Sequence, residues 1–211
     1  MSPMPKRLEF ALRLPGISQG VWVDIGAGIG HYLSFMPAGS FGLDINENPS
    51  KNIHYWNFLG DFPEISIGSA DVIWCSNLIE HVIDPHRFLI NVKKVLKPTR
   101  ESSLLIACPN TVLFKRGPWR GALAADHVNF FNLNTLKLTL EFAGYNITYA
   151  GCPSFPWMPL WLSKILGPIG PTLLVAAKAV PNFQYGPTAH KIIDATGSIK
   201  FKDESLSDPE R

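Results

Sequence analysis

The sequence predicts an α/β domain, a mostly parallel seven-stranded sheet flanked by helices, with its last strand antiparallel. Three observations predict it. The apolar run at 21–25 passes directly into glycines at every second position, Gly26, Gly28 and Gly30. Short apolar runs at 41–44, 53–56, 70–76 and 103–108 then alternate with helical patterns or loops, as in a parallel sheet with right-handed crossovers. Two more runs, 145–150 and 172–178, complete the seven.

The elements follow in order. Leu8, Ala11, Leu12 and Leu14, with charged residues between them, make 5–14 a short amphipathic helix laid against one side of the sheet. The run at 21–25 is a buried parallel strand, and the glycine bend after it leaves no room for side chains. A helix is expected to begin near Gly30 and to run over 31–36, ended by Pro37 and Gly39. Residues 41–44 form the second strand and 53–56 the third, with space for one turn around Pro49. Residues 59–68 are a loop, and 70–76 is the fourth strand.

Asp84 is a good N-cap and Pro85 suits a first helical turn. Phe88, Leu89, Val92, Val95 and Leu96 follow at helical spacing, and Lys93, Lys94 and Lys97 fall at the partly negative end. Residues 103–108 are a fully buried fifth strand, and 134–144 a helix closed by Gly144. The strands at 145–150 and 172–178 come last. Residues 1–180 are expected to form one domain, with 181–211 a polar, loosely held tail.

Composition narrows the function. With 211 residues, 46% hydrophobic and 17% charged, the chain fits one well-packed domain. A net charge of +2, with no basic block longer than two residues, gives no ground to expect a nucleic-acid partner. Three cysteines, Cys75, Cys108 and Cys152, lie within or beside apolar runs and suit reduced, buried thiols and a cytoplasmic setting. The N-terminal stretch has basic residues but no uninterrupted apolar core, so no secretion signal is expected.

The glycine bend lets main chain approach a ligand closely, and Asp44 ends the second strand about twenty residues after Asp24, where a carboxylate accepts from both hydroxyls of a ribose. A dinucleotide site spaces its glycines G-x-G-x-x-G; here the pattern is D-x-G-x-G-x-G. That pattern resembles motif I of the class I S-adenosylmethionine-dependent methyltransferases. The run SADVIWCSNLIEHVIDP extends the resemblance, with Asp71 opening the fourth strand, then Asn77, Glu80, His81, Val82, Asp84 and Pro85. So does Asp126-His127-Val128-Asn129-Phe130-Phe131 ahead of the helix at 134–144, which is similar to the type 11 and type 23 small-molecule groups. The chain departs from the family after Lys97-Pro98, where Thr99-Arg100 stands in place of two glycines.

The resemblance covers residues 20–180 and implies a Rossmann-like sheet, S-adenosylmethionine as cofactor and methyl transfer to a small molecule, with oxygen one acceptor atom to consider. It implies that Gly26, Ala27, Gly28 and Gly30 lie against the methionine end, with Asp24 orienting the bend or meeting the amino group, Asp44 on the ribose and Asn77 on the methionine side. Either Asn57 or Asp61 caps the adenine. His127, with Asp126 beside it, is the candidate catalytic base, or else it fixes the entrance of the following helix. His81 packs beside the cofactor on this reading, and Glu80 bonds main chain.

In the loop 111–125, Lys115, Arg116 and Arg120 with Trp119 either hold an anionic acceptor or form a solvated surface. No metal site is expected. The segment 152–171 is strongly apolar yet holds five prolines, so it does not span a membrane. It dips into a bilayer interface, forms an acceptor pocket, pairs two subunits, or folds over the sheet edge. A non-catalytic relative that keeps the fold as a binding or scaffold protein is the alternative function, and a nicotinamide-dependent oxidoreductase fits the glycine spacing poorly.

Overall fold

A computed structural model describes residues 3–17, 19–60, 66–111, 127–153, 157–167, 169–181, 183, 190–193 and 199–202. Of the expected site residues, Asp61, Lys115, Arg116, Trp119, Arg120 and Asp126 lie outside the described residues.

The chain divides into two units, Met1–Pro181 and Asn182–Arg211. The first is built on a seven-stranded sheet of order β3-β2-β1-β4-β5-β7-β6. Its strands are β1 (Trp22–Ile25), β2 (Phe41–Asp44), β3 (Ile53–Tyr55), β4 (Val72–Ser76), β5 (Ser103–Pro109), β6 (Tyr145–Gly151) and β7 (Thr172–Ala179). The first five run parallel, and β7 is antiparallel to both β5 and β6. The expected seven-stranded, mostly parallel sheet with an antiparallel last strand is what forms.

Period-two alternation divides the core between the two faces. Val23, Ile25, Ile73, Cys75, Leu104 and Ile106 point to the side covered by α2 (Pro85–Val95) and α3 (Leu133–Phe142). Trp22, Val72, Trp74, Leu105 and Ala107 point to the other side, covered by α1 (Lys6–Ala11) and, through Leu160, Leu162 and Leu166, by α4 (Leu160–Leu166). All three cysteines are buried and outside any disulfide among the described residues, and burial pushes the Cys75 and Cys108 thiols well up.

Helix ends follow from the residues that cap them. Asp84 accepts from the Arg87 amide at 2.9 Å and Pro85 opens α2. At α3, Asn132 and Thr135 form a reciprocal capping box, so the helix starts before Asn134. Gly144, at φ 77°, ends it.

One expected element does not form. After the glycine bend there is only a single 3-10 turn, Leu33–Phe35. Gly28 and Gly30 take φ of 52° and 75°, which a right-handed helix cannot include, and Pro37 closes the stretch before an α-helix can propagate. No helix macrodipole therefore faces the bend. The N-terminal helix is also shorter than the pattern over 5–14, ending at Ala11.

In the second unit, β8 (His190–Ile193) pairs antiparallel with β9 (Ile199–Lys202), within the stretch expected to be a loosely held tail.

Candidate active site

Parallel strands bring their carboxyl ends to one rim, and the order of the sheet fixes the order of residues along it. From β3 toward β5 these are Asn57, Asp44, the glycine bend, Asn77 and the turn Ile79–His81. Neighbouring strands stand about 4.8 Å apart, so the rim is as long as a nucleoside with an amino-acid tail.

The bend is tied to β2. Gly26 and Ala27 donate to the Leu43 carbonyl at 2.8 and 3.3 Å, and the Gly28 amide donates to Asp44 Oδ2 at 2.8 Å. Asp44 Oδ1 accepts from the Asn46 amide at 2.9 Å. Asn46 Nδ2 also donates to Oδ1, at 3.4 Å, so Oδ2 is the oxygen that keeps a second lone pair for a hydroxyl donor. The Gly30 amide closes the bend on the Ala27 carbonyl at 2.8 Å. These amides are thus engaged within the protein, and what the bend offers a ligand is close approach of main chain.

The glycines differ in what surrounds them. A Cβ on Gly26 would come within 3.0 Å of Leu78 Cδ2, and one on Gly30 within 3.2 Å of Ile53 Cδ1. On Gly28 it would meet nothing within 4 Å. Gly26 and Gly30 are glycine for packing, and Gly28 stands on open space.

Beside the bend Asp24 is 1% exposed, and its Oδ2 has no hydrogen-bond partner among the described residues. Burial, with the Asp44 charge adding to it, raises its pKa from 3.8 to about 7. Its unpartnered oxygen can accept a hydrogen bond from a donor brought against it.

Asn77 takes φ 52°, a left-handed conformation that asparagine tolerates better than most residues. Its amide donates to the Ala107 carbonyl at 2.8 Å, and its Oδ1 accepts from Arg7 Nη1 at 2.8 Å. Arg7 Nη2 also donates to Thr172 Oγ1 at 3.2 Å. Helix α1 thus sends a guanidinium to the rim, which amphipathic periodicity could not show.

Asn57 is exposed, and its Oδ1 accepts from the Leu59 amide at 3.3 Å, so its side chain shapes the turn that follows β3. Ile45, directly after Asp44, is an exposed apolar side chain that the sequence reading passed over.

At the β4–β5 end the amides of Val128 and Asn129 donate to the Glu80 carbonyl at 3.0 and 2.9 Å. Their pairing places His127 against His81, with ring centroids 4.7 Å apart and planes at 77°. Glu80 is 2% exposed and stands with them. The motifs around Glu80 and His127, quoted separately from the sequence, meet here.

A family model described as a methyltransferase domain matches residues 3–150. The chain belongs to this methyltransferase family. Solved structures with the same fold include the methyltransferase in a complex with the Trm112 methyltransferase activator from Haloferax volcanii, at 16% identity and TM-score 0.60, covering 82% of this chain and 88% of that one. An S-adenosylmethionine-dependent methyltransferase from Thermotoga maritima matches at 15% identity and TM-score 0.58, with coverages of 82% and 86%. Another from Aquifex aeolicus matches at 20% identity and TM-score 0.56, with coverages of 83% and 94%. No curated protein sequence matches the chain significantly.

The methyltransferase takes S-adenosylmethionine as its cofactor, and the bay fits that group. Gly28 opens on free space, the buried Asp24 Oδ2 has no partner among the described residues, and Asp44 Oδ2 has a lone pair to spare. When bound, this cofactor supplies a methyl group already activated as a sulfonium.

Proposed function

We propose that this methyltransferase acts on a small molecule and methylates it at oxygen. The observation that carries the reading is the position of His127, half-buried at the carboxyl rim and packed on His81, on the far side of β4 from the glycine bend. An in-line displacement needs alignment of the acceptor and, for a hydroxyl, removal of its proton. The His81–His127 pair is the proton-accepting group at that end of the rim.

The other assignments follow from this. Asp44 holds the ribose, Asp24 meets the amino group, and Gly26, Ala27, Gly28 and Gly30 form the floor beneath the methionine part. Asn77, braced by Arg7, borders that part. Asn57, or Asp61, caps the adenine. Lys115, Arg116, Trp119 and Arg120 contact an anionic acceptor, and Asp126 assists His127.

The modest charge supports a small acceptor rather than nucleic acid, and three buried thiols support a cytoplasmic setting. Among the described residues no helix is long and apolar enough to cross a membrane. Trp157, Trp161, Ile165 and Ile169 are exposed at four-residue spacing, and this row supports a peripheral-membrane or dimer contact through 152–171. Vesicle co-sedimentation and light scattering separate those two.

Incubation with methyl-labelled cofactor and a metabolite extract tests the function. The expected result is a labelled small molecule whose new methyl is an ether or ester, lost in His127→Ala. Labelled macromolecules alone, or an N-methyl product, would overturn it.

A further inference from the structure

The turn Ile79–His81 and the segment at 127–131 are fastened together from both sides. Val128 and Asn129 donate their amides to the Glu80 carbonyl, and Asn129 Nδ2 donates to the Val82 carbonyl. At the other end both the amide and the hydroxyl of Thr111, just past β5, donate to the Phe131 carbonyl at 2.9 and 2.8 Å. Backbone bonds set this arrangement, so the side chains it presents are held in place before any ligand arrives.

Those side chains are Glu80, His81 and His127. One imidazole nitrogen from each histidine and one carboxylate oxygen lie within 4.8 Å of one another. Donors on a single ion with bonds near 2.1 Å stand roughly 3 to 3.5 Å apart, so small side-chain rotations close the set. Glu80 is buried while both histidines are half-exposed. The carboxylate therefore backs the cluster and its open side faces solvent.

We propose that Glu80, His81 and His127 hold one divalent transition-metal ion, at a site with positions left open toward the methyl acceptor. Two imidazoles and one carboxylate select zinc, cobalt, nickel, iron or manganese over magnesium or calcium, which prefer all-oxygen sets. The proposal rests on the oxygen-acceptor reading and deepens it. An ion there lowers the pKa of an acceptor hydroxyl, which replaces direct proton acceptance by the His81–His127 pair: with the ion bound the histidines serve as ligands and the acceptor's proton leaves to water. The acceptor oxygen forms the new C–O bond, the C–S bond breaks, and its electron pair returns to sulfur as the neutral thioether.

The test uses the full chain stripped with chelator and titrated with zinc followed calorimetrically, and with cobalt followed by its visible absorption. One ion per chain is expected, with tetrahedral or five-coordinate cobalt bands. Affinity should fall at least 100-fold in His127→Ala and in Glu80→Gln, with circular dichroism showing that both remain folded. His127→Ala carries the test if the buried Glu80→Gln does not fold.

No binding, or equal binding in wild type and His127→Ala, overturns the metal site. If stripped protein still O-methylates at full rate, the metal's role falls while the oxygen reading stands. If the ion binds as expected but only nitrogen is methylated, the oxygen reading falls and the metal site stands.

Discussion

The Gly28 amide donates to Asp44 Oδ2 at 2.8 Å, which makes the glycine bend and the end of β2 one rigid unit. A ligand lying across both meets a surface already assembled, so little ordering opposes its binding.

Asp44→Ala removes that tie and the proposed ribose acceptor together. Loss of a charge-assisted hydrogen bond is worth about 1.5 to 3 kcal/mol, so cofactor affinity should fall roughly 10- to 100-fold. Calorimetric titration with S-adenosylmethionine measures it, and unchanged affinity would contradict the placement of the ribose.

Gly28→Ala separates folding from binding. A Cβ there meets no atom within 4 Å, so the fold suffers only the left-handed backbone penalty of about 1 to 2 kcal/mol. On the proposed placement the methyl fills space the cofactor needs, and binding should weaken at least tenfold. Gly26→Ala, whose Cβ faces Leu78 Cδ2 at 3.0 Å, should instead lower the melting temperature more.

Two carboxyls give stability opposite pH dependences. Asp24 titrates near 7 in the folded protein against 3.8 as its ordinary value, so between these pH values the folded state holds a proton the unfolded state has released. Stability should fall across that range, by roughly 4 kcal/mol for this group. Asp71 behaves the other way. Its hydrogen bond from Lys97 Nζ at 2.7 Å lowers its pKa, so its contribution is present above pH 4 and disappears as the pH falls through the folded value. Urea unfolding from pH 3 to 8 should show a maximum close to the ordinary carboxyl value of 3.8 and a decline from there toward pH 7. In Asp24→Asn the decline toward pH 7 should vanish.

Arg7 and Asn77 should be energetically coupled. Single replacements by alanine and the double replacement form a cycle, and their 2.8 Å contact predicts an interaction of about 0.5 to 1.5 kcal/mol in urea unfolding. Additivity would mean that the Arg7–Asn77 contact adds nothing to stability.

Local chemistry made much of this molecule legible in its sequence. Apolar runs of strand length marked the central strands β1, β2, β4, β5 and β7, because a strand buried on both faces is nearly continuous in apolar residues. Asp84-Pro85 placed the start of α2 because capping acts within one turn. The glycine bend and Asp44 were legible because glycine spacing and an acid at a strand end have few other uses.

What the sequence alone could not decide was set by contacts between distant segments. The helix read after Gly30 failed because the same glycines adopt left-handed φ to reach β2, a tertiary demand that overrides local pattern. The raised pKa of Asp24 exists only once β2 and β4 enclose it. Arg7 reaches Asn77 only because α1 folds over the sheet. Glu80, His81 and His127 become one cluster only when the amides of 128 and 129 find the Glu80 carbonyl. Periodicity and spacing report what a residue does to its own element; long-range hydrogen bonds and burial determine which elements meet.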